Sequence, residues 1–313
     1  MRTFFHSVPI PTAGVALGFA ALGNLLKSYS IPAWGIAGTC AALFFTLICL
    51  RLVTNVASIG RDLTSPILAG VSATWCMALM QLSTYIAHWS QRLAFAAWCV
   101  AVAAHTLLIV WFTFYHVRHR RLGDVTTAYL ICYVGVAVAA VTSPTVRAEV
   151  AGWLSLGFAA LSVVPILVAL AVRHHRLPVP EAVRPLTCIF AAPMSLILAG
   201  YLALSPQPAP WLVLILIVVA QGLYLFVLTQ LPGLLRLPFY PSYAAMTFPF
   251  VISATALRGA VAALRDAGYV IAEAVDALVW AQVVIACLMV SYVALRYLHA
   301  FGHNIVRTHM RVQ

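Results

Sequence analysis

The chain has 313 residues, 64% of them hydrophobic and 8% charged, with a mean hydropathy of +1.00. Soluble domains carry roughly 25% charged residues, so this composition excludes a water-soluble core and fits lipid as the solvent. The net charge is +11, but the 18 Lys and Arg residues lie between apolar runs, where they set topology and meet anionic lipid rather than nucleic acid.

Ten apolar runs follow one another at 7–26, 31–50, 64–86, 93–115, 125–142, 150–172, 185–204, 210–231, 240–258 and 274–297. Each is about 20 residues, enough to cross ~30 Å as a helix. The first has none of the marks of a cleaved leader and reads as a retained helix. The uncharged stretch 185–235 is divided by "SPQPAP" at 205–210, because prolines cannot continue a helix and their predecessors resist the α region. The expected fold class is an all-α integral membrane protein forming one transmembrane domain. It comprises five helical hairpins, approximately 1–58, 59–120, 121–178, 179–236 and 237–313.

Loop charge gives the orientation. One side holds Arg2, Arg51, Arg61, Arg118, Arg120, Arg121, Arg173, Arg176, Arg184, Arg236, Arg296, Arg307 and Arg311; the other holds Lys27, Arg92, Arg147, Arg258 and Arg265. The excess of positive charge places both termini on the cytoplasmic side of a cell inner (plasma) membrane, and an even number of spans independently requires both termini on one side.

The odd runs combine proline with Gly, Ala, Ser and Thr, whereas the even runs are richer in Leu, Trp, Phe and Val, although Pro165 interrupts the sixth. Small residues allow close helix approach or line a narrow passage, and a carbonyl freed by proline needs a neighbour or a cavity. The odd helices therefore belong inside. A central passage and ordinary tight packing around proline kinks fit this composition equally.

No Asp, Glu, Lys or Arg lies near the midpoint of a run. Asp266, Glu273 and Asp276 sit near the start of the tenth, and Arg258 lies ten residues, or about 15 Å of helix, beyond Phe248. Proton-coupled carriers and pumps need ionisable groups inside the membrane. His105 is the exception and reads as a hydrogen-bonded structural residue. His116, His119, His174, His175, His299, His303 and His309 cluster at the cytoplasmic edge as a solvated face. The seven cysteines all lie in apolar runs without a CxxC and read as small buried hydrophobes. No HExxH, GxSxG or phosphate-binding glycine loop occurs, so no catalytic residue, metal or cofactor is expected.

Three stretches carry a resemblance: "FHSVPIPTAGVALGFAALGNL" near the start, "FAAPMSLILAGYLAL" in the seventh run and "SYAAMTFPFVISATAL" in the ninth. They are similar to the TehA tellurite-resistance and C4-dicarboxylate transporter family, which includes the plant guard-cell slow anion channel. The resemblance implies hairpins in quasi-fivefold order around a pore lined by the odd helices, and a homotrimer. It also implies a ninth-helix phenylalanine that occludes the pore, which by motif is Phe248 rather than Phe250. On this reading Pro11, Pro66, Pro193 and Pro249 are the pore-helix kinks. Gly14, Gly18, Gly135, Ser195, Thr247 and Ser253 are the pore-lining candidates. Two departures stand out: the fifth run has Gly135 and a late Pro144 in place of a mid-helix proline, and Val164 precedes Pro165 where some bacterial relatives carry an acid. The implied partners are the bilayer and small inorganic or carboxylate anions. The implied activity is an anion channel; the alternative is a secondary carrier exporting C4-dicarboxylate, tellurite or sulfite-like anions.

Overall fold

The computed structural model describes residues 8–118 and 125–310. The expectations for Arg2, Arg120, Arg121, Arg311 and His119 lie outside the described residues, as do those for the side chains of His174, His175, His303, His309 and Arg307.

The described residues are helical, with no strand among them. Ten apolar elements follow in order: α1 Thr12–Leu26, α2 Ile31–Thr54, α3 Pro66–Ile86, α4 Gln91–Val117, α5 Ala128–Val146, α6 Glu149–Arg176, α7 Glu181–Leu204, α8 Pro210–Leu235, α9 Pro241–Asp266 and α10 Glu273–Met310. Among the described residues, nine are long and apolar enough to cross a membrane, and α1 is shorter at 15 residues. The odd-to-even turns are tight. Ser30 and Ser90 start α2 and α4 by accepting the backbone N–H of Ala33 and Leu93, satisfying donors a helix start leaves free. Arg147, at φ 59°, ends α5 in the left-handed conformation.

Burial separates two layers. In their most apolar stretches α3, α5, α7 and α9 bury 67%, 72%, 67% and 72% of residues, whereas α2, α4, α6, α8 and α10 bury 28%, 28%, 22%, 22% and 44%. Among the odd elements, α1 touches α3, α3 touches α5, α5 touches α7, α7 touches α9, and α9 returns to α1. Each even element packs on its own hairpin partner and on a second odd element. The chain thus folds as a closed inner circuit in an outer sleeve. The sleeve exposes large apolar side chains such as Leu43, Leu107, Leu161, Val218 and Leu288, as a lipid-facing surface requires. Exposed Trp89, Trp153, Trp211 and Trp280 gather at the odd-to-even turns, where interfacial aromatics sit in a membrane.

Glycine sets the closeness of the circuit. A Cβ on Gly18 would come within 2.5 Å of Thr247 Cβ on α9, and one on Gly70 within 2.5 Å of the Ala128 carbonyl on α5. Only a hydrogen fits at either contact.

Three features go beyond the sequence reading. A short helix, Val56–Thr64, links α2 to α3, and its Asp62 accepts from the buried Arg51 Nη2 at 2.5 Å. Both α9 and α10 run past their expected ends, to Asp266 and Met310. Three odd elements are broken. Glu181–Ala191 of α7 and Pro241–Met246 of α9 are 3₁₀, and α5 tightens to 3₁₀ at Gly135–Ala137.

Candidate pore and gate

The breaks in α7 and α9 fall at proline. Pro193 and Pro249 each open an α-segment after a 3₁₀ stretch, and neither can offer an N–H to the carbonyl four residues earlier, Ile189 or Ala245. Neighbouring hydroxyls occupy the backbone here. Ser195 Oγ and Ser253 Oγ both donate to the Ala191 carbonyl, at 2.9 and 3.0 Å, and lie 3.1 Å from one another. Thr247 Oγ1 lies 2.7 Å from the Ala244 carbonyl and 3.0 Å from that of Gly14. The α5 break is held from behind, by His105 Nε2 on the Cys132 carbonyl at 2.8 Å and by Trp98 Nε1 on Thr142 Oγ1 at 2.8 Å.

Two cavities lie between the odd elements. The lower one, at the end where the odd elements begin, is about 60 Å³, room for a few waters. All five odd elements line it, among them Pro11, Gly14 and Leu17 of α1, Thr74 and Met77 of α3, Val134 and Gly135 of α5, Pro193 and Leu196 of α7, and Phe248 and Pro249 of α9. Its wall is almost wholly apolar. The upper cavity is about 430 Å³ and lies between the far ends of α1, α3, α5 and α9. Asn24, Lys27, Gln81, Thr84, Thr142, Thr145, Thr255 and Arg258 line it, and no Asp or Glu does.

A thin septum divides them. Leu17, Met77 and Phe248 border the lower cavity; Ala21, Gln81 and Ile252, each four residues further along the same helix, border the upper one. Four residues are about 6 Å of helix. Leu17, Met77, Phe248 and Ile252 are 1%, 3%, 5% and 2% exposed, so the septum is closed by side chains in contact. The neighbouring Phe250 is fully buried on the other face of α9, edge-on to Tyr224 of α8 at 5.9 Å.

Of the residues the sequence suggested, Phe248, Gly14, Gly135, Pro11, Pro193 and Pro249 line the lower cavity. Gly18, Ser195, Thr247 and Ser253 do not; they mediate contact between odd elements or occupy backbone carbonyls. Pro66 opens α3 beside its cap Ser65, away from either cavity, and Pro11 precedes the first helical residue of α1. The sequence reading missed Leu17 and Met77, which look like ordinary core residues, and Gln81, Asn24 and Arg258, which lie at helix ends. The one available signal was the shared four-residue step from apolar to small or polar on the odd elements.

An apolar helical sleeve around a second layer of buried, proline-broken helices defines a multi-span membrane protein. The chain matches the model of the voltage-dependent anion channel family over residues 5–298 and belongs to that family. Comparison with curated proteins finds no match. Family membership indicates anion transport, in line with the resemblance read from the three sequence stretches.

Proposed function

We propose that the protein is a gated anion channel. Its pore runs along the axis of the five odd elements, in quasi-fivefold order, from the upper cavity through the septum into the lower one, and Phe248 closes it. One observation supports the reading: two cavities within one chain are bordered by residues a single helical turn apart on α1, α3 and α9, and the neutral Phe248 ring belongs to that turn. The septum bears no ionisable group among its named residues, so an anion would cross it without being trapped by a fixed charge. Upper-cavity cations bias the field towards anions without occupying the narrow part. The protein on this reading is no enzyme. It sits in the inner membrane with both termini cytoplasmic, so the lower cavity faces the cytoplasm. It assembles as a homotrimer in which each protomer has its own pore.

Reversal potentials in proteoliposomes test this. Reversal that follows the anion gradient and ignores an imposed proton gradient supports the channel. Strict coupling to protons or to a counter-anion would establish instead the carrier of dicarboxylate, tellurite or sulfite-like anions.

A further inference from the structure

The upper cavity ends on an amide with one free side. Gln81 is only 3% exposed, and its Oε1 accepts from Asn24 Nδ2 at 2.8 Å. Asn24 Nδ2 also donates to Thr84 Oγ1 at 2.9 Å. With its carbonyl tied back to α1, Gln81 has an Nε2 with no hydrogen-bond partner, yet that atom is not among the sealed, unsatisfied ones. Gln81 lines the cavity one turn above Met77 of the septum. A nearly buried amide that keeps its N–H donors for an aqueous cavity lacks an acceptor.

The surrounding charges match an anionic acceptor. Arg258 is fixed by its Nη1 on the Leu25 carbonyl at 3.3 Å and by the Tyr29 ring 4.7 Å from its guanidinium carbon. Among the described residues it has no carboxylate partner, whereas Arg265, two turns on, is neutralised by Asp276 through hydrogen bonds of 3.0 and 2.7 Å. Lys27 Nζ lies over the Trp34 ring at 5.2 Å and also borders the cavity.

We propose that Gln81 Nε2 is an anion-coordinating donor at the upper face of the septum, with Arg258 and Lys27 supplying the attracting field. Asn24 is the positioning residue. By holding the Gln81 carbonyl it prevents the amide from turning and presenting an acceptor, which would repel an anion. The ligand class is the small inorganic monoanion, chloride or nitrate, whose lost hydration the amide replaces before the narrow step. This site rests on the pore reading and adds a specificity-determining residue to it.

The test uses Phe248→Ala full-length protein as parent, in liposomes, with chloride and nitrate as probes. Gln81→Leu in that background should raise the half-saturating chloride concentration about tenfold, equivalent to about 1.4 kcal/mol, and shift the nitrate-to-chloride permeability ratio towards the more easily dehydrated ion. Gln81→Glu keeps an acceptor for Asn24 but replaces the donor with negative charge, so it should suppress anion current more strongly than Gln81→Leu. Asn24→Leu should shift the permeability ratio in the same direction as Gln81→Leu, whereas Asn24→Ser, which keeps a donor for the Gln81 carbonyl, should restore part of it. If the leucine variant fails to fold, Gln81→Glu and Arg258→Gln decide the matter by the same readouts. A conducting parent whose variants keep its saturation and permeability ratios overturns the Gln81 site alone. A folded but silent parent overturns the gate and the route through the septum, and the Gln81 site, which rests on that route, falls with them.

Discussion

Phe248→Ala tests the gate most directly. The ring is 5% exposed and forms part of a septum about 6 Å thick, with a small cavity below and a larger polar one above. Burying such a ring is worth about 1.5–3 kcal/mol. If that packing is the bias that keeps the septum shut, truncation raises the conducting fraction about 10- to 150-fold, since each 1.4 kcal/mol is a factor of ten. Removing the ring also joins the two cavities, so water enters and offsets part of the cavity penalty that a sealed Phe→Ala site carries. Anion current at matched surface expression should therefore rise by at least tenfold, with fold retained and Phe248→Leu intermediate. Phe250→Ala is the control. Phe250 is fully buried against Tyr224, away from both cavities, so its truncation should cost about 3–5 kcal/mol of stability and leave the current near wild type. A silent Phe248→Ala, or a leaky Phe250→Ala, refutes the assignment of the gate.

Three further expectations follow from the packing and the loop charges. Gly18→Ala puts a Cβ 2.5 Å from Thr247 Cβ and should destabilise by about 1–3 kcal/mol, read as a lower thermal midpoint in detergent; an unchanged midpoint would disprove the close α1–α9 contact. Asp62→Asn leaves Arg51, 8% exposed at its side chain, without its counter-charge and should cost about 3 kcal/mol by the same assay, whereas Asp276→Asn, at an exposed pair, should change little. A cysteine at Arg147 should react with an impermeant thiol reagent in intact cells and one at Arg176 should not; external labelling at 176 reverses the orientation.

Nine spans of crossing length and the division at "SPQPAP" were legible because lipid imposes a length and a hydropathy on each crossing; the tenth expected span, α1, is an apolar helix of 15 residues among the described residues. The separation of buried odd from exposed even elements was legible as well, since small residues and prolines are unsuited to a lipid face. Which small residue faces the axis was not. Gly14 and Gly18 are one turn apart on α1, but one borders the lower cavity and the other meets Thr247. Ser195 and Ser253 look like lumen hydroxyls in sequence, but the breaks in α7 and α9 create carbonyls that attract them. Helix rotation about its own axis is a tertiary property, and a hydroxyl's partner depends on backbone irregularities that composition does not encode. Pro241–Met246 and the helix Val56–Thr64 were missed because they are too short for a periodic pattern to register, whereas the 11-residue 3₁₀ stretch Glu181–Ala191 is long enough and was read as part of an ordinary apolar run.

The proline between the two phenylalanines gains its meaning from that irregular backbone. The chain changes from 3₁₀ to α at Thr247, at φ −108° and ψ −85°, and Pro249 sits in the first turn of the α-segment that begins at Phe248. The Thr247 hydroxyl sits against carbonyls of α9 and α1, tying this turn to the neighbouring inner helix. Pro193 and the paired Ser195 and Ser253 hydroxyls do the equivalent between α7 and α9. The backbone around Phe248 is therefore cross-braced on both sides. On the proposed reading, the neutral Phe248 ring on this braced turn closes the septum together with Leu17, Met77 and Ile252. It also keeps the narrow step free of fixed charge, which is what rapid passage of an anion requires.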